Sequence, residues 1–203
     1  MPGSDEQKGV AYYVARAYTV TQRDLLSAVA PLSESQLRNR PGLTNSVTFD
    51  LWHVGRWADH LASILSEMTP ALRNRIGASP EIWTTEQLVD KWGLPAGRLG
   101  HVDTGMTMDD ELAATLPLPA KDVLLDYVGR AFDRAQKVVG DLRDDDLLVP
   151  AEIDPARVPW LTSPTQYGVP LSWVVAYTRH DARHLGMIEA LKGVAGMRGT
   201  ATV

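Results

Sequence analysis

No cysteine occurs in this chain of 203 residues, and that absence removes disulfides, thiolate metal ligands and a cysteine nucleophile together. Any metal site must therefore be built from His, Asp and Glu, and any thiol chemistry must use a thiol brought by a substrate. An excess of positive charge is also missing. A net charge of −5 and the lack of a basic cluster leave no electrostatic footprint for nucleic acid. Long apolar runs are missing: stretches such as "WVVAY" fall far short of the ~20 residues needed to span a bilayer, so no membrane partner is expected. The opening "MPGSDEQKG" lacks the basic-then-apolar layout of a signal peptide, which makes the cytoplasm the expected location. No strand-like alternation, internal repeat or low-complexity segment is evident.

What is present is helical periodicity in a chain of ordinary globular composition, 44% hydrophobic and 22% charged. Its length suits a single domain spanning residues 1–203. Four long helices are expected, at about 10–30, 46–68, 120–142 and 171–193. Pro31 closes the first, and Thr69-Pro70 stops the second. "LSESQLRNRPG" suits a short helix between them. A long irregular insertion, Pro70 to Pro119, separates the second and third long helices. Within it, "EIWTTEQLVDKWGLP" reads as one short helix ending at Gly93, and "TMDDELAATL" as another with Thr107 as N-cap. A proline-punctuated connection then leads to the last helix and is expected to cross one end of the fold, where loops tend to carry function. Four long helices with mixed connections predict an all-α four-helix bundle, whose interior is a natural place for a metal.

The chain has only five histidines, yet His180 and His184 stand one helical turn apart. They share a stripe with Trp173, Tyr177, Met187 and Leu191 that otherwise reads as core. A buried imidazole has two ring nitrogens to satisfy, and each unmatched polar group costs about 1–3 kcal/mol; a shared divalent ion answers one nitrogen of each ring. Three protein ligands are the usual catalytic set. His53, on the stripe Phe49, His53, Trp57, His60 and Ile64, is the strongest third candidate; His60 competes, and His101 in the insertion is the weakest. The competing reading is plain: an HxxxH pair often arises by chance on a surface or in a core. "HDARH" is in any case no zincin motif, because Asp181 stands where HExxH needs its glutamate.

Around these positions, Trp57, Tyr177 and Trp160 are candidates for the wall of a substrate pocket, with ordinary core aromatics as the alternative. His60 is the one candidate catalytic residue, as a general base, set against a satisfied core or surface histidine. Asp50 and Asp181 could orient ligand rings or be solvated. Arg56, Arg179 and Arg183 adjoin the histidines; one could meet a substrate carboxylate, although helical angles turn most of them towards solvent. "WLTSPTQYG", Trp160 to Gly168, is expected to cap the metal end.

"LWHVGRW" and "HDARHLGMIEALKG", supported by "LSESQLRNRPG" and "VVGDLRDDDLL", resemble the DinB-like metal-dependent bundle family. The resemblance covers nearly the whole chain in order, loosely over the insertion. It implies a four-helix bundle, frequently a homodimer, with a divalent metal held by one histidine of the second long helix and two of the last. On this sequence those are His53, His180 and His184. Zinc or nickel is the foremost expectation, with iron or another ion as alternatives. The resemblance further implies a metal-dependent enzyme that transfers a low-molecular-weight thiol, a co-substrate such as mycothiol or bacillithiol, to an electrophilic small molecule. Metal-assisted hydrolysis or isomerisation in a specialised pathway is the first alternative, and a non-catalytic stress or ligand-binding bundle the second. One departure is visible: Met187 stands where a polar residue, often Gln, is expected three positions after the second histidine.

Overall fold

Hydrogen-bonding side chains set where the helices begin. In the computed structural model, which describes residues 8–161 and 167–200, Ser46 accepts from Phe49 N and opens α3 (Val47–Glu67). Ser33 and Gln36 form a reciprocal capping box on α2 (Glu34–Arg38). Thr69 caps α4 (Pro70–Ile76), with Pro70 in the first turn where its missing N–H costs nothing. The first long helix, α1 (Val10–Val29), has no cap of its own; Asp144, far along the chain, accepts from Val10 N and Ala11 N. Glu34 likewise accepts from Lys121 N at the start of α8 (Lys121–Gly140). The last helix is α9 (Pro170–Val194), again with proline at its start.

The insertion differs from expectation in detail. "EIWTTEQLVDKW" forms two helices, α5 (Ile82–Thr85) and α6 (Leu88–Lys91), because Gln87 between them takes a left-handed conformation at φ 54°. Asp109, not Thr107, caps α7 (Asp110–Thr115), its side chain accepting from Leu112 N; Thr107 sits at φ 65°, away from the extended conformation typical of a capping threonine. A 3₁₀ turn covers His101–Asp103. No strand occurs among the described residues, and none of their helices is long and apolar enough to cross a membrane.

The four long helices close into a ring: α1 packs on α9 and α8, and α3 packs on the same two. Gly55 permits the α3–α8 approach, since a Cβ there would lie 2.8 Å from Val128 Cγ2. The insertion covers the outer side of α3 and α8, with Trp83 tilted against Trp52 at 6.1 Å and Trp92 edge-on to Tyr127 at 5.5 Å. As a result α3 is buried on every side. From Val47 to Ser66 each of its residues is buried except His53, which is half-buried.

Candidate metal centre

His53 projects from the middle of α3, and His180 and His184 from adjacent turns of α9. Crossing of the two helices brings the three rings together, with one ligand atom from each within 4.8 Å of the others. Ring centroids are 4.9, 4.7 and 4.6 Å apart, and the Nε2 atoms of His53 and His180 approach to 2.9 Å.

What lies behind each ring decides what faces inward. His53 Nδ1 meets the carbonyl oxygen of Thr104, which only accepts, so Nδ1 carries the proton and Nε2 the lone pair. His180 Nδ1 lies 3.2 Å from Asp181 Oδ1, and His184 Nδ1 lies 3.1 Å from Asp50 Oδ1. Both acids are buried, and both orient imidazoles as partners of metal-binding histidines commonly do. Asp181 is steadied in turn by Gln22 Nε2 at 3.3 Å, and Gln22 by Gln136. Burial and the neighbouring imidazoles hold His53 well below the ordinary histidine range; burial, His184 and Arg183 push His180 down to about 3. Burial lifts Asp181 to about 7 against the pull of Gln22 and His184. At neutral pH the His53 and His180 rings are therefore uncharged, and with ionised Asp181 accepting from His180 Nδ1 the two Nε2 lone pairs face one another. Two acceptors at 2.9 Å repel; a cation at the centre turns that repulsion into ligation. The donor set fits a divalent metal ion.

The Thr104 carbonyl has no signature in sequence, and the structure shows how it is placed. Val102 and Asp103 adopt left-handed conformations at φ 44° and 55°, a strained geometry for a β-branched residue. Arg56 holds them there, donating through Nη2 to Val102 O and through Nε to Asp103 O, each at 3.0 Å. Arg56 also pairs with Glu81 at 2.8 Å and Asp59 at 3.3 Å, and lies over the Trp83 ring. Arg179 and Arg183 are exposed as expected, and Arg56 is the exception among the three at 1% exposed, because the insertion covers that side of α3. Gly105 completes the loop at φ 87°, where a Cβ would lie 3.2 Å from His53 Nδ1.

A cavity of about 490 Å³ opens over the three rings. Trp57, Trp160 and Tyr177 line it, together with Trp173 and Met106. Trp57 stands edge-on to His180 at 5.8 Å, to Tyr177 at 5.5 Å and to Trp160 at 4.9 Å. Arg179, Arg183 and Met187, all exposed, form the mouth. His60 lies outside the cavity, buried behind Trp57 and Trp160; its Nδ1 meets Glu81 Oε1 at 2.8 Å and its Nε2 has no partner. His101 stands apart from the three-histidine group, 6.4 Å from the Trp160 ring. Of the expected cap "WLTSPTQYG", residues 162–166 lie outside the described residues, while Trp160 and Tyr167 line the cavity.

Comparison with known proteins reaches the same architecture. A family model described as the DinB superfamily matches residues 17–188. Among solved structures, the crystal structure of a conserved protein of a locus from Enterococcus faecalis aligns with a TM-score of 0.65, covering 94% of this chain and 99% of that one. Identity is 18%, so the likeness speaks for the fold alone. No curated protein matches the chain.

Proposed function

The chain belongs to the DinB superfamily, and from that premise we propose that it is a divalent-metal-dependent enzyme transferring a low-molecular-weight thiol to an electrophilic small molecule. One observation carries the reading: three imidazoles turn one nitrogen each towards a common point on the floor of an aromatic-walled cavity. His53, His180 and His184 would hold the ion. Held by three neutral imidazoles, a divalent ion would keep its full charge and would supply Lewis acidity towards a thiol, a water or a carbonyl.

The chain's own residues supply the rest. Thr104, Asp181 and Asp50 fix the ring orientations from behind, so the centre is organised before substrate arrives. Trp57, Trp160 and Tyr177 offer flat apolar faces that hold an organic electrophile and exclude water from it. His60 stays a candidate proton acceptor only for a group able to reach behind the two tryptophans. Because the chain has no cysteine, the thiol must arrive as a co-substrate.

The test is turnover of monochlorobimane by purified, untagged, metal-loaded protein with mycothiol, bacillithiol or glutathione. Thiol-dependent turnover abolished by chelation and by His184→Ala is the expected result. Metal-dependent turnover of small esters or isomerisable substrates with no requirement for thiol would sink the thiol reading in favour of hydrolysis or isomerisation.

A further inference from the structure

We propose that Arg179 and Arg183 form an anion clamp at the cavity mouth, so that the molecule seated beside the histidines is an organic carboxylate with an apolar body. The inference rests on the cavity being a substrate site, as proposed above, but not on thiol transfer.

Each arginine immediately precedes one of the α9 histidines, and the two stand four residues apart, on one face of the helix. Both are exposed and both line the cavity. Like charges one turn apart disfavour a helix, and a bound anion relieves them. Among the described residues no carboxylate lines the cavity to do so. Nearby acids of α9 are committed elsewhere: Asp181 is buried between Gln22 and His180, and Glu189 pairs with Lys192 at 3.1 Å. Residues 162–166 include no acid in their sequence.

Guanidinium forks match a carboxylate edge-on through paired hydrogen bonds. The clamp sits in the middle of α9, away from that helix's own N-terminus, where a phosphate would be cradled. Below it the tryptophan walls are apolar. A ligand that suits both parts carries one charged end at the mouth and an uncharged body within. That carboxylate can belong to the thiol or to the electrophile.

Tryptophan fluorescence separates the two sources, since three indoles line the cavity. Full-length protein, zinc-loaded and chelator-treated, is titrated with phenylbutyrate and phenylbutyramide, and separately with N-acetylglutathione and its diethyl ester. In at least one arm the acid should bind about tenfold more tightly than its neutral partner, with or without zinc, as expected for charge-assisted hydrogen bonds. An Arg179→Gln/Arg183→Gln variant should narrow that ratio to about twofold while leaving the neutral ligand's Kd unchanged. Preference in the phenylbutyrate arm assigns the carboxylate to the electrophile; preference in the glutathione arm assigns it to the thiol. Equal binding of acid and neutral ligand in both arms overturns the clamp. So does a preference that survives the double variant, which would place the anion on the metal. Absence of thiol-dependent turnover beside an intact acid preference would reject thiol transfer and leave the clamp standing.

Discussion

Two buried polar clusters sit side by side on α3, and they are built on opposite principles. Around Arg56 every charge is answered. The guanidinium meets Asp59, Glu81, Tyr127 and two carbonyls, and Asp59 also accepts from Ile82 N, Trp83 N and Arg134. A few residues earlier on the same helix, His53 is answered only from behind, and its Nε2 is turned on another lone pair. The first cluster is closed beneath the insertion, and the second lies under a cavity. Completed networks fix one structure; lone pairs turned towards a cavity suit a ligand that enters it. The two are joined, because the loop held by Arg56 supplies the carbonyl that orients His53.

The largest expected effect breaks the closed cluster. Arg56→Met should cost about 3–5 kcal/mol in chemical denaturation, since it leaves Glu81 with only His60, Asp59 with only Arg134 as charged partner, and the Val102 and Asp103 carbonyls without their donor. Metal uptake should weaken with it as the 101–105 loop loosens. A cost below about 1 kcal/mol would mean the cluster is solvated and the contrast with the histidines is wrong.

Acid should dissolve the same cluster at a smaller cost. Burial raises the Glu81 carboxyl, but His60 and Arg56 outweigh it and hold the group at about 2, against 4.5 for a free glutamate. A folded-state value below the unfolded one contributes stability above pH 4.5 and loses it as pH falls towards 2. The contribution is on the order of 3 kcal/mol for a shift of this size. Glu81→Gln should flatten the acid limb of a stability-against-pH curve in that window; an unchanged slope would refute the pairing.

Asp50→Asn tests the open cluster. It replaces the carboxylate behind His184 by an amide and should lower metal affinity about 10–100-fold in a chelator competition. Stability of the chelated protein should change little. Asp50 Oδ2 already lacks a partner, so the amide removes a buried charge that is only half satisfied. An unaltered affinity would leave Asp50 as packing.

How far the sequence spoke for all this differs between the two clusters. The all-α class was legible because helical periodicity is local and runs through the long segments. The stripes on α3 and α9 likewise carry His53, His180 and His184 in plain view. Arg56 was not told apart from Arg179 and Arg183, since helical angles turn it away from the histidines and only the insertion makes that side an interior. The insertion itself was poorly legible: it is folded by left-handed residues at Gln87, Val102, Asp103 and Thr107, which no hydrophobic pattern announces. A carbonyl that orients a ring leaves no trace in a side-chain alphabet.

Gly105 is the smallest change that tests the joint between the clusters. Its φ of 87° is open to glycine and strained for alanine, and its missing Cβ is what lets the loop lie against α3. An added methyl would meet Trp52 Cζ3 at 2.9 Å, Phe49 Cζ at 3.0 Å and His53 Nδ1 at 3.2 Å. Two of those neighbours are aromatic edges packed in the core, so the loop must give way rather than the wall. Gly105→Ala should therefore cost about 1–2 kcal/mol in stability and withdraw the Thr104 carbonyl from His53. Freed from that acceptor, His53 can present either nitrogen to the centre, and metal affinity falls although no ligand has been touched. Loss of stability with full metal affinity would show that the loop only covers the ring and does not orient it.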